Sequence, residues 1–344
     1  MTTSTIQGAI QSLIDGSDLD SETISGCLKE IVEGDATPSQ IGGFLVALRK
    51  KGETVDEIAA LASALRDYSK PVRPSVKGRM VDMCGTGGDS VKTPNIGTMC
   101  SFVVAGAGVV VAKHGGRSIT SKSGSADVLE KLGFNLNMEP SRVKESIEQI
   151  GIGFMFAPAF HPAMKNVAPV RRELGIRTVF NLMGPLINPA LVEAQLVGLY
   201  SPELVPQIAA VLAKLGLEEA MVVHGLEGVD EISVTGRTLV SHLKDGLIET
   251  HEYLPGDFGL GQAGLLRRRS VNDADDGAMV ALEVLRGDSK EDDGCTQMVL
   301  VNSAACLILG QKAGSFSEGI ELAKSSIRSG NAIGKLEKMV EFSG

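Results

Sequence analysis

No Cys-x-x-Cys pair occurs in the chain, and its five cysteines, Cys27, Cys84, Cys100, Cys295 and Cys306, are odd in number and widely spaced. That pattern argues against a disulfide framework and a zinc site, and it suits a reducing compartment. Basic residues are in the minority: 33 lysines and arginines face 42 aspartates and glutamates, a formal net charge of −9. A balance of that sign repels the phosphate backbone of nucleic acid unless cations cluster, and the run Arg267-Arg268-Arg269 is short. Long hydrophobic stretches are missing too. The segment from Phe102 to Ala112 is too short and glycine-rich to span a bilayer, and the opening MTTSTIQGAIQSLIDG has no basic part followed by an apolar one. The expectation is a soluble cytoplasmic protein that binds neither membrane nor nucleic acid.

What is present suits a globular chain of about two domains: 344 residues, 43% hydrophobic and 22% charged, with 41 glycines where backbone must turn or approach something closely. From Gln7 to Tyr68 apolar residues recur at three- and four-residue spacing, as in Ile24, Leu28, Ile31, Val32 and Ile41, Phe44, Leu45, Leu48, which predicts three or four short amphipathic helices. Thr37-Pro38-Ser39-Gln40 and Thr54-Val55-Asp56-Glu57 both have capping-box form and mark two helix starts. Pro71 and Pro74 then interrupt the helical period, placing a boundary near residue 70.

Beyond it, short apolar strands alternate with helices over 80–84, 95–108, 109–115 and 125–133. Further strands are expected at Ala194 to Tyr200 and Ala220 to His224, with helices at Ser201 to Leu215, Thr296 to Gly310 and Ser317 to Ser329. The βαβ order implies an α/β fold: a small all-helical N-terminal domain over 1–70, then a larger α/β domain whose central, mainly parallel sheet is flanked by helices.

Four segments carry candidate chemistry. Cys84-Gly85-Thr86-Gly87-Gly88-Asp89 follows a strand, and its glycines let backbone N–H groups form an anion-binding nest. It is neither a dinucleotide fingerprint, which requires glycine at Ser90, nor a Walker A loop, which requires glycine at Val91 before Lys92-Thr93. Lys113-His114-Gly115-Gly116-Arg117-Ser118 with Ser121-Lys122-Ser123-Gly124-Ser125 also follows a strand, and in an open parallel sheet both loops face one crevice. A lone basic turn of this kind is more often solvated; the convergence gives it weight. Asp230 and Glu231, in a turn after the 220–224 strand, suit Mg²⁺ beside substrate phosphates, although adjacent acids alone are usually solvated and neither is expected in the core. In the fourth segment Arg171 or Arg172 can pair bidentately with an acidic substrate, and Asn181-Leu182-Met183-Gly184-Pro185-Leu186 reads as a kinked turn suited to a hinge.

Taken in order, GTGGD (85–89), KHGGRS (113–118), SKSGSADVLEKLG (121–133), HPAMKNVAPVRRELGIRTVFNLMGPLINP (161–189) and VHGLEGVDEISVTG (223–236) resemble the anthranilate phosphoribosyltransferase family. The resemblance implies Mg²⁺-dependent transfer of a phosphoribosyl group from 5-phosphoribosyl pyrophosphate (PRPP) to the amine of anthranilate, in tryptophan biosynthesis. It implies a homodimer joined through the helical domain, with about 168–190 rejoining that domain at the hinge and the α/β domain spanning 75–167 and 191–344. By position, PRPP would meet Gly85, Gly88, Asp89, Thr93, Asn95, Ile96, Gly97, Thr98, Lys113, His114, Gly115, Gly116, Arg117, Ser118, Ser121 and Ser125. Anthranilate would meet Gly85, His114, Gly116, His161, Arg171 and Pro185, with Arg171 on its carboxylate, and Asp230 and Glu231 would hold the metal. No side chain is expected to act as nucleophile or base.

Two positions depart from the family pattern: Gly116 replaces an asparagine that helps place anthranilate, and Gly97 replaces a serine whose hydroxyl faces metal and phosphate. Gly116 keeps open a related phosphoribosyltransferase or pyrimidine nucleoside phosphorylase with another ring acceptor. The rival from a different class is a non-catalytic nucleic-acid-binding relative, resting on Arg267 to Arg269.

Overall fold

Each helix at the N-terminal end is started by a side chain. In the computed structural model, which describes residues 4–88, 93–118, 123–260 and 271–344, these helices are α1 (Thr5–Ile14), α2 (Ser21–Glu33), α3 (Pro38–Lys51) and α4 (Val55–Asp67). Ser4, Asp20, Thr37 and Thr54 cap them by accepting first-turn N–H groups. Thr37 with Gln40 and Thr54 with Glu57 form the reciprocal boxes expected from the sequence. Ile24, Leu28, Ile31, Ile41, Phe44, Leu45 and Leu48 meet in one buried cluster. From Ser69 to Arg79 the chain has no helix or strand, and the N–H groups of Lys70 and Val72 donate to the carbonyls of Phe160 and Pro189 at 2.9 and 3.2 Å.

The sheet that follows is built from β1 (Met80–Gly85), β2 (Val110–Gly115), β3 (Ile152–Phe156), β4 (Ala194–Gly198), β5 (Glu219–Gly225), β6 (Thr238–Lys244) and β7 (Leu247–Tyr253). Among the described residues its order is β3-β2-β1-β4-β5-β6-β7. The strands from β3 across to β5 are parallel, and β6 and β7 add an antiparallel edge. The chain winds outward from β1 to β2 and β3, then returns to lay β4 on β1's other side. This makes the carboxyl ends of β1 and β4 the topological switch point, where such sheets open a crevice.

The remaining helices are α5 (Ile96–Gly106), α6 (Ser125–Lys131), α7 (Pro140–Ile150), α8 (Ala157–Phe160), α9 (Val167–Leu174), α10 (Met183–Leu186), α11 (Leu204–Lys214), α12 (Ala274–Arg286), α13 (Gly294–Leu309), α14 (Phe316–Arg328) and α15 (Asn331–Ser343). Alternation along the strands splits the core in two. Val81, Met83, Val111 and Leu196 pack with α5 and α13, whereas Val197, Ala220 and Val222 pack with α11, with Val179 to Leu186 and with the N-terminal helices. The strands and helices expected from the sequence are present with ends shifted by up to three residues, while β3, β6, β7 and the helices α7, α8, α9, α10, α12 and α15 were not anticipated. The β6–β7 hairpin turns through Asp245 and Gly246, both at positive φ (51° and 77°), as a tight two-residue turn requires. No described helix is long and apolar enough to cross a membrane.

Close approach of helices to the buried α13 depends on small residues. A Cβ at Gly319 of α14 would lie 2.8 Å from the Cα of Ala304, whereas one at Gly8 of α1 would meet nothing within 4 Å. Gly319→Ala is therefore expected to lower unfolding free energy by about 1–3 kcal/mol through overpacking. Gly8→Ala is expected to raise it by about 0.5–1 kcal/mol. Urea denaturation of both variants checks the pair, and shifts of one sign would contradict it.

Candidate active site

At the switch point the register sets Gly85 at the end of β1 opposite Gly198 at the end of β4. The turn after β5 closes over both. A Cβ at Gly85 would lie 2.3 Å from Asp230 Oδ2, and one at Gly198 would lie 1.6 Å from the Asp230 carbonyl oxygen, so only glycine fits at either strand end. Gly87 and Gly88 follow at positive φ (63° and 76°), the turn that exposes backbone N–H groups, and the Gly87 N–H donates to Asp230 Oδ2 at 2.9 Å. Asp230 thus places a carboxylate oxygen where the nest presents a donor, and burial pushes its pKa up. The expectation that Asp230 lies outside the core is corrected: it is 8% exposed, because two glycines let its backbone settle onto the strand ends.

Lys113 and His114, consecutive on β2, point to opposite faces of the sheet, as strand alternation dictates. Lys113 is buried, not solvated; its Nζ donates to the Met83 carbonyl at 2.7 Å. A Cβ at Gly97, in the first turn of α5, would lie 3.7 Å from Lys113 Nζ and 3.8 Å from Glu231 Oε1. Gly97, Lys113 and Glu231 therefore meet beside the Gly85–Gly88 loop. In that turn Ile96 is buried in the core, and the buried Thr98 hydroxyl has no partner among the described residues. Asn95, just before the helix, donates from Nδ2 to the Ser123 carbonyl at 3.2 Å, tying the two phosphate-suited loops together.

The second loop is stapled to α6. Asp127 Oδ2 accepts the N–H groups of Ser118 and Gly124 at 3.1 and 2.8 Å, and the Gly116 carbonyl accepts from Ala126 at 3.2 Å. Arg117 pairs with Asp127 and Glu130, each at 2.8 Å, so its charge is already met within the loop. Gly115 is hemmed in by Phe154 and Ser125, whereas Gly116 has a φ outside the left-handed region and open space for a side chain, the nearest atom being Ala157 Cβ at 3.8 Å.

On the other face lies a run of buried polar groups. His114 Nδ1 is 3.0 Å from the Gly184 carbonyl, and its Nε2 is 3.1 Å from His161 Nε2. A carbonyl only accepts, so Nδ1 of the neutral His114 carries the proton and His161 donates to His114 Nε2. Beneath them Asp82, fully buried in β1, accepts from the His114 N–H (3.3 Å), Asn188 Nδ2 (2.8 Å) and Gln195 Nε2 (3.4 Å). Gln195 also donates to the Pro185 carbonyl at 3.0 Å, so Asp82 fastens the segment around Pro185 to the sheet. Burial pushes the Asp82 carboxyl up, opposed by the charge of Lys113. Arg171, on α9, is half-buried with its guanidinium 5.9 Å from the Phe180 ring centre, and burial lowers its pKa.

The structure thus brings Gly85, Gly88, Gly97, Lys113, Asp230 and Glu231 to one crevice and His114, His161 and Pro185 to the adjoining face. Thr93 and Asn95 lie on the chain leading into α5, and Ser125 is the first residue of α6. Asp89, Ser121 and Arg267 to Arg269 lie outside the described residues. Asp82 went unnoticed in the sequence, although a carboxylate within the apolar MVDMC strand was a signal. Among the described residues there is no group of three or more His, Cys, Asp and Glu side chains able to hold a metal. The two carboxylates of Asp230 and Glu231 nonetheless fit Mg²⁺, a hard ion that takes one or two protein oxygens and completes its shell from phosphate and water.

A phosphate-suited crevice at the switch point, with a helical bundle beside it, defines the class. Residues 77–333 match the model of the glycosyl transferase family a/b domain, and residues 7–69 match its helical bundle domain. The chain is 45% identical over 339 residues to anthranilate phosphoribosyltransferase of Acetivibrio thermocellus, covering 98% of this chain and 96% of that one. It is 46% identical over 335 residues to the Petrotoga mobilis enzyme of the same name, covering 97% and 95%. Among solved structures, anthranilate phosphoribosyltransferase from Thermus thermophilus superposes with a TM-score of 0.89 at 39% identity over 97% of this chain and 98% of that one. The Saccharomyces cerevisiae enzyme in complex with PRPP and Mg gives 0.90 at 30% identity over 99% and 98%. The chain belongs to the glycosyl transferase family, in its anthranilate phosphoribosyltransferase branch.

Burial lowers the pKa of His114 to about 4 and, together with the neighbouring His114, that of His161 to about 3, from 6.5. Between pH 6.5 and those values the unfolded chain binds protons that the folded chain does not. These groups therefore make stability fall as pH is lowered through that window and leave it unchanged above. In His161→Gln the slope of unfolding free energy against pH between about 6.5 and 4 is expected to be shallower than in the parent, by up to about 1.4 kcal/mol per pH unit. Identical slopes in urea titrations at several pH values would contradict neutral burial of this pair.

Proposed function

We propose that the chain transfers the 5-phosphoribosyl group of PRPP to the amine of anthranilate, releasing pyrophosphate, with Mg²⁺ as cofactor, in tryptophan biosynthesis. The observation that carries this reading is the meeting of the Gly85–Gly88 nest, Lys113 and the Asp230–Glu231 turn at the switch point of the sheet. The relatives support the acceptor: solved yeast neighbours include one in complex with PRPP and Mg and one with 4-fluoroanthranilate.

In this reading PRPP lies across the crevice with its phosphates toward the nest, the first turn of α5 and Lys113, and Asp230 and Glu231 hold the metal. Bound Mg²⁺ neutralises charge on the pyrophosphate. The amine's lone pair forms the bond to C1 of the ribose as the C1–oxygen bond breaks, that electron pair departs with pyrophosphate, and the acidic proton left on nitrogen is lost to water or to the departing pyrophosphate. An aromatic amine is largely unprotonated at neutral pH, so no strong base is needed. The His114–His161 pair agrees with this, since each Nε2 is engaged by the other ring. Its role is to form the acceptor's wall with Pro185, and Arg171 pairs with the acceptor's carboxylate. Rate enhancement then comes from alignment of the two substrates and stabilisation of the leaving charge by Lys113 and loop N–H groups.

Asp89, Thr93, Asn95, Ile96, Thr98, Gly115, Arg117, Ser118, Ser121 and Ser125 complete the PRPP reading, Arg117 by holding its loop in shape. A glycine at 97 leaves Lys113 and Glu231 without an intervening hydroxyl, and the open space at Gly116 leaves the acceptor one amide fewer. Residues 1–70 with about 168–190 form the helical domain, and 75–167 with 191–344 the α/β domain. A homodimer forms through the helical domain, where Ile14 on α1 and Val46 on α3 are exposed. The cytoplasm is its compartment.

The test follows anthranilate fluorescence on addition of PRPP and Mg²⁺. Fluorescence is expected to disappear with the parent protein. Asp230→Asn with Glu231→Gln should cut turnover and raise the Mg²⁺ needed for half-maximal rate. Loss of fluorescence at parental rates across the Mg²⁺ titration would contradict the metal assignment. No turnover of anthranilate by the parent, with turnover of thymidine or uridine plus phosphate, would overturn the reading itself.

A further inference from the structure

Arg177 is rooted in one part of the molecule and acts on another. It follows the left-handed Gly175 that ends α9 and precedes Val179 and Phe180, which are buried with the N-terminal helices. Its backbone is thereby fixed to the helical bundle. Its side chain crosses to the glycine loop after β1, where Nη2 donates to the Gly88 carbonyl at 2.5 Å. The guanidinium also stacks on Tyr200, 4.1 Å from the ring centre, at the end of β4. Tyr200 is itself tied to the loop, since its N–H donates to Thr86 Oγ1 at 3.2 Å and the Thr86 N–H donates to the Gly198 carbonyl at 2.9 Å. Among the described residues no carboxylate lies within ion-pair distance of Arg177. Among the described residues, the positive charge at the mouth of the anion-binding nest is met by a neutral carbonyl and an aromatic face.

We propose that Arg177 is a PRPP-binding residue, supplied by the helical bundle to the pyrophosphate end of the site, which exchanges the Gly88 carbonyl for a phosphate oxygen when PRPP binds. The inference rests on the reading of the crevice as a PRPP site. A phosphate oxygen outcompetes a backbone carbonyl for a guanidinium because the bond is charge-assisted at both ends, and the planar fork offers further N–H donors for it. Stacking on Tyr200 keeps the fork aimed during the exchange. Gly88 is suited to release its carbonyl, since its positive φ belongs to a turn that glycine adopts without strain. The exchange also ties substrate binding to the bundle, since the residue that grips the leaving group is anchored there.

The experiment compares the parent, Arg177→Gln and Arg177→Lys in steady-state kinetics and in calorimetric titration with magnesium pyrophosphate. Arg177→Gln is expected to raise both the KM for PRPP and the Kd for magnesium pyrophosphate by roughly ten- to hundredfold, the range for losing a hydrogen bond to a charged group. The KM for anthranilate should stay within about twofold of the parent's, because the change is confined to one substrate's end of the site. Arg177→Lys, which keeps the charge but not the planar fork, should fall between. It also keeps the test open if the glutamine variant fails to fold. A folded glutamine variant that binds magnesium pyrophosphate as the parent does would overturn the proposal, as would equal rises in both KM values with pyrophosphate affinity unchanged. If the parent neither binds magnesium pyrophosphate nor consumes anthranilate, the PRPP reading fails and this assignment falls with it.

Discussion

The contact on which the rest of the site depends is the seating of Asp230 against two glycines. Gly85 and Gly198 face each other across the β1–β4 pair, and any Cβ on either would occupy the space of the Asp230 backbone or carboxylate. Without side chains there, the turn after β5 reaches the switch point and delivers Asp230 and Glu231 beside the nest and Lys113. The same seating buries Asp230 and lets the Gly87 N–H bind its carboxylate. The loop is thus held in shape by an internal acceptor of the same charge sign as a phosphate, and the shape that greets the substrate is already set.

Strand alternation divides the labour. One face of β2 carries Lys113 toward α5 and the phosphate end; the next residue, His114, turns to the face that meets α10 and the helical bundle. On the proposed function, the sheet is thereby a partition between donor chemistry and acceptor recognition, with the crevice at its edge as the meeting place. Asp82 holds the acceptor side together from beneath. Its carboxylate collects donors from β2, β4 and the chain after α10, so the wall around Pro185 cannot shift without disturbing the strand. A buried carboxylate hydrogen-bonded to neutral donors is costly to ionise even with the charge of Lys113 nearby, and its presence marks a place where geometry matters more than stability.

Much of this was legible in the residues. Capping boxes fixed two helix starts, prolines fixed the end of the helical region, and glycine loops after apolar strands located the crevice, because each signal is local in sequence. What was missed depends on distance. The Asp82–Asn188 bond joins positions 106 residues apart, and the burial of Asp230 depends on two glycines from other strands. Arg177 stood in a quoted motif without a role, since its partner, the Gly88 carbonyl, leaves no trace in side-chain chemistry. The β6–β7 hairpin was a different kind of miss: Asp245-Gly246 is a local turn signal, but β7 is exposed along most of its length and lacks the apolar pattern that marks a strand.

The central claim, that the seating of Asp230 on Gly85 and Gly198 brings the metal-holding carboxylates to the phosphate loop, is tested most directly by a crystal structure of the protein with Mg²⁺ and PRPP. The account predicts the metal within bonding distance of Asp230 and Glu231 carboxylate oxygens, with the phosphates of PRPP against the Gly85–Gly88 loop. PRPP bound elsewhere, with no metal at the carboxylates, would contradict it.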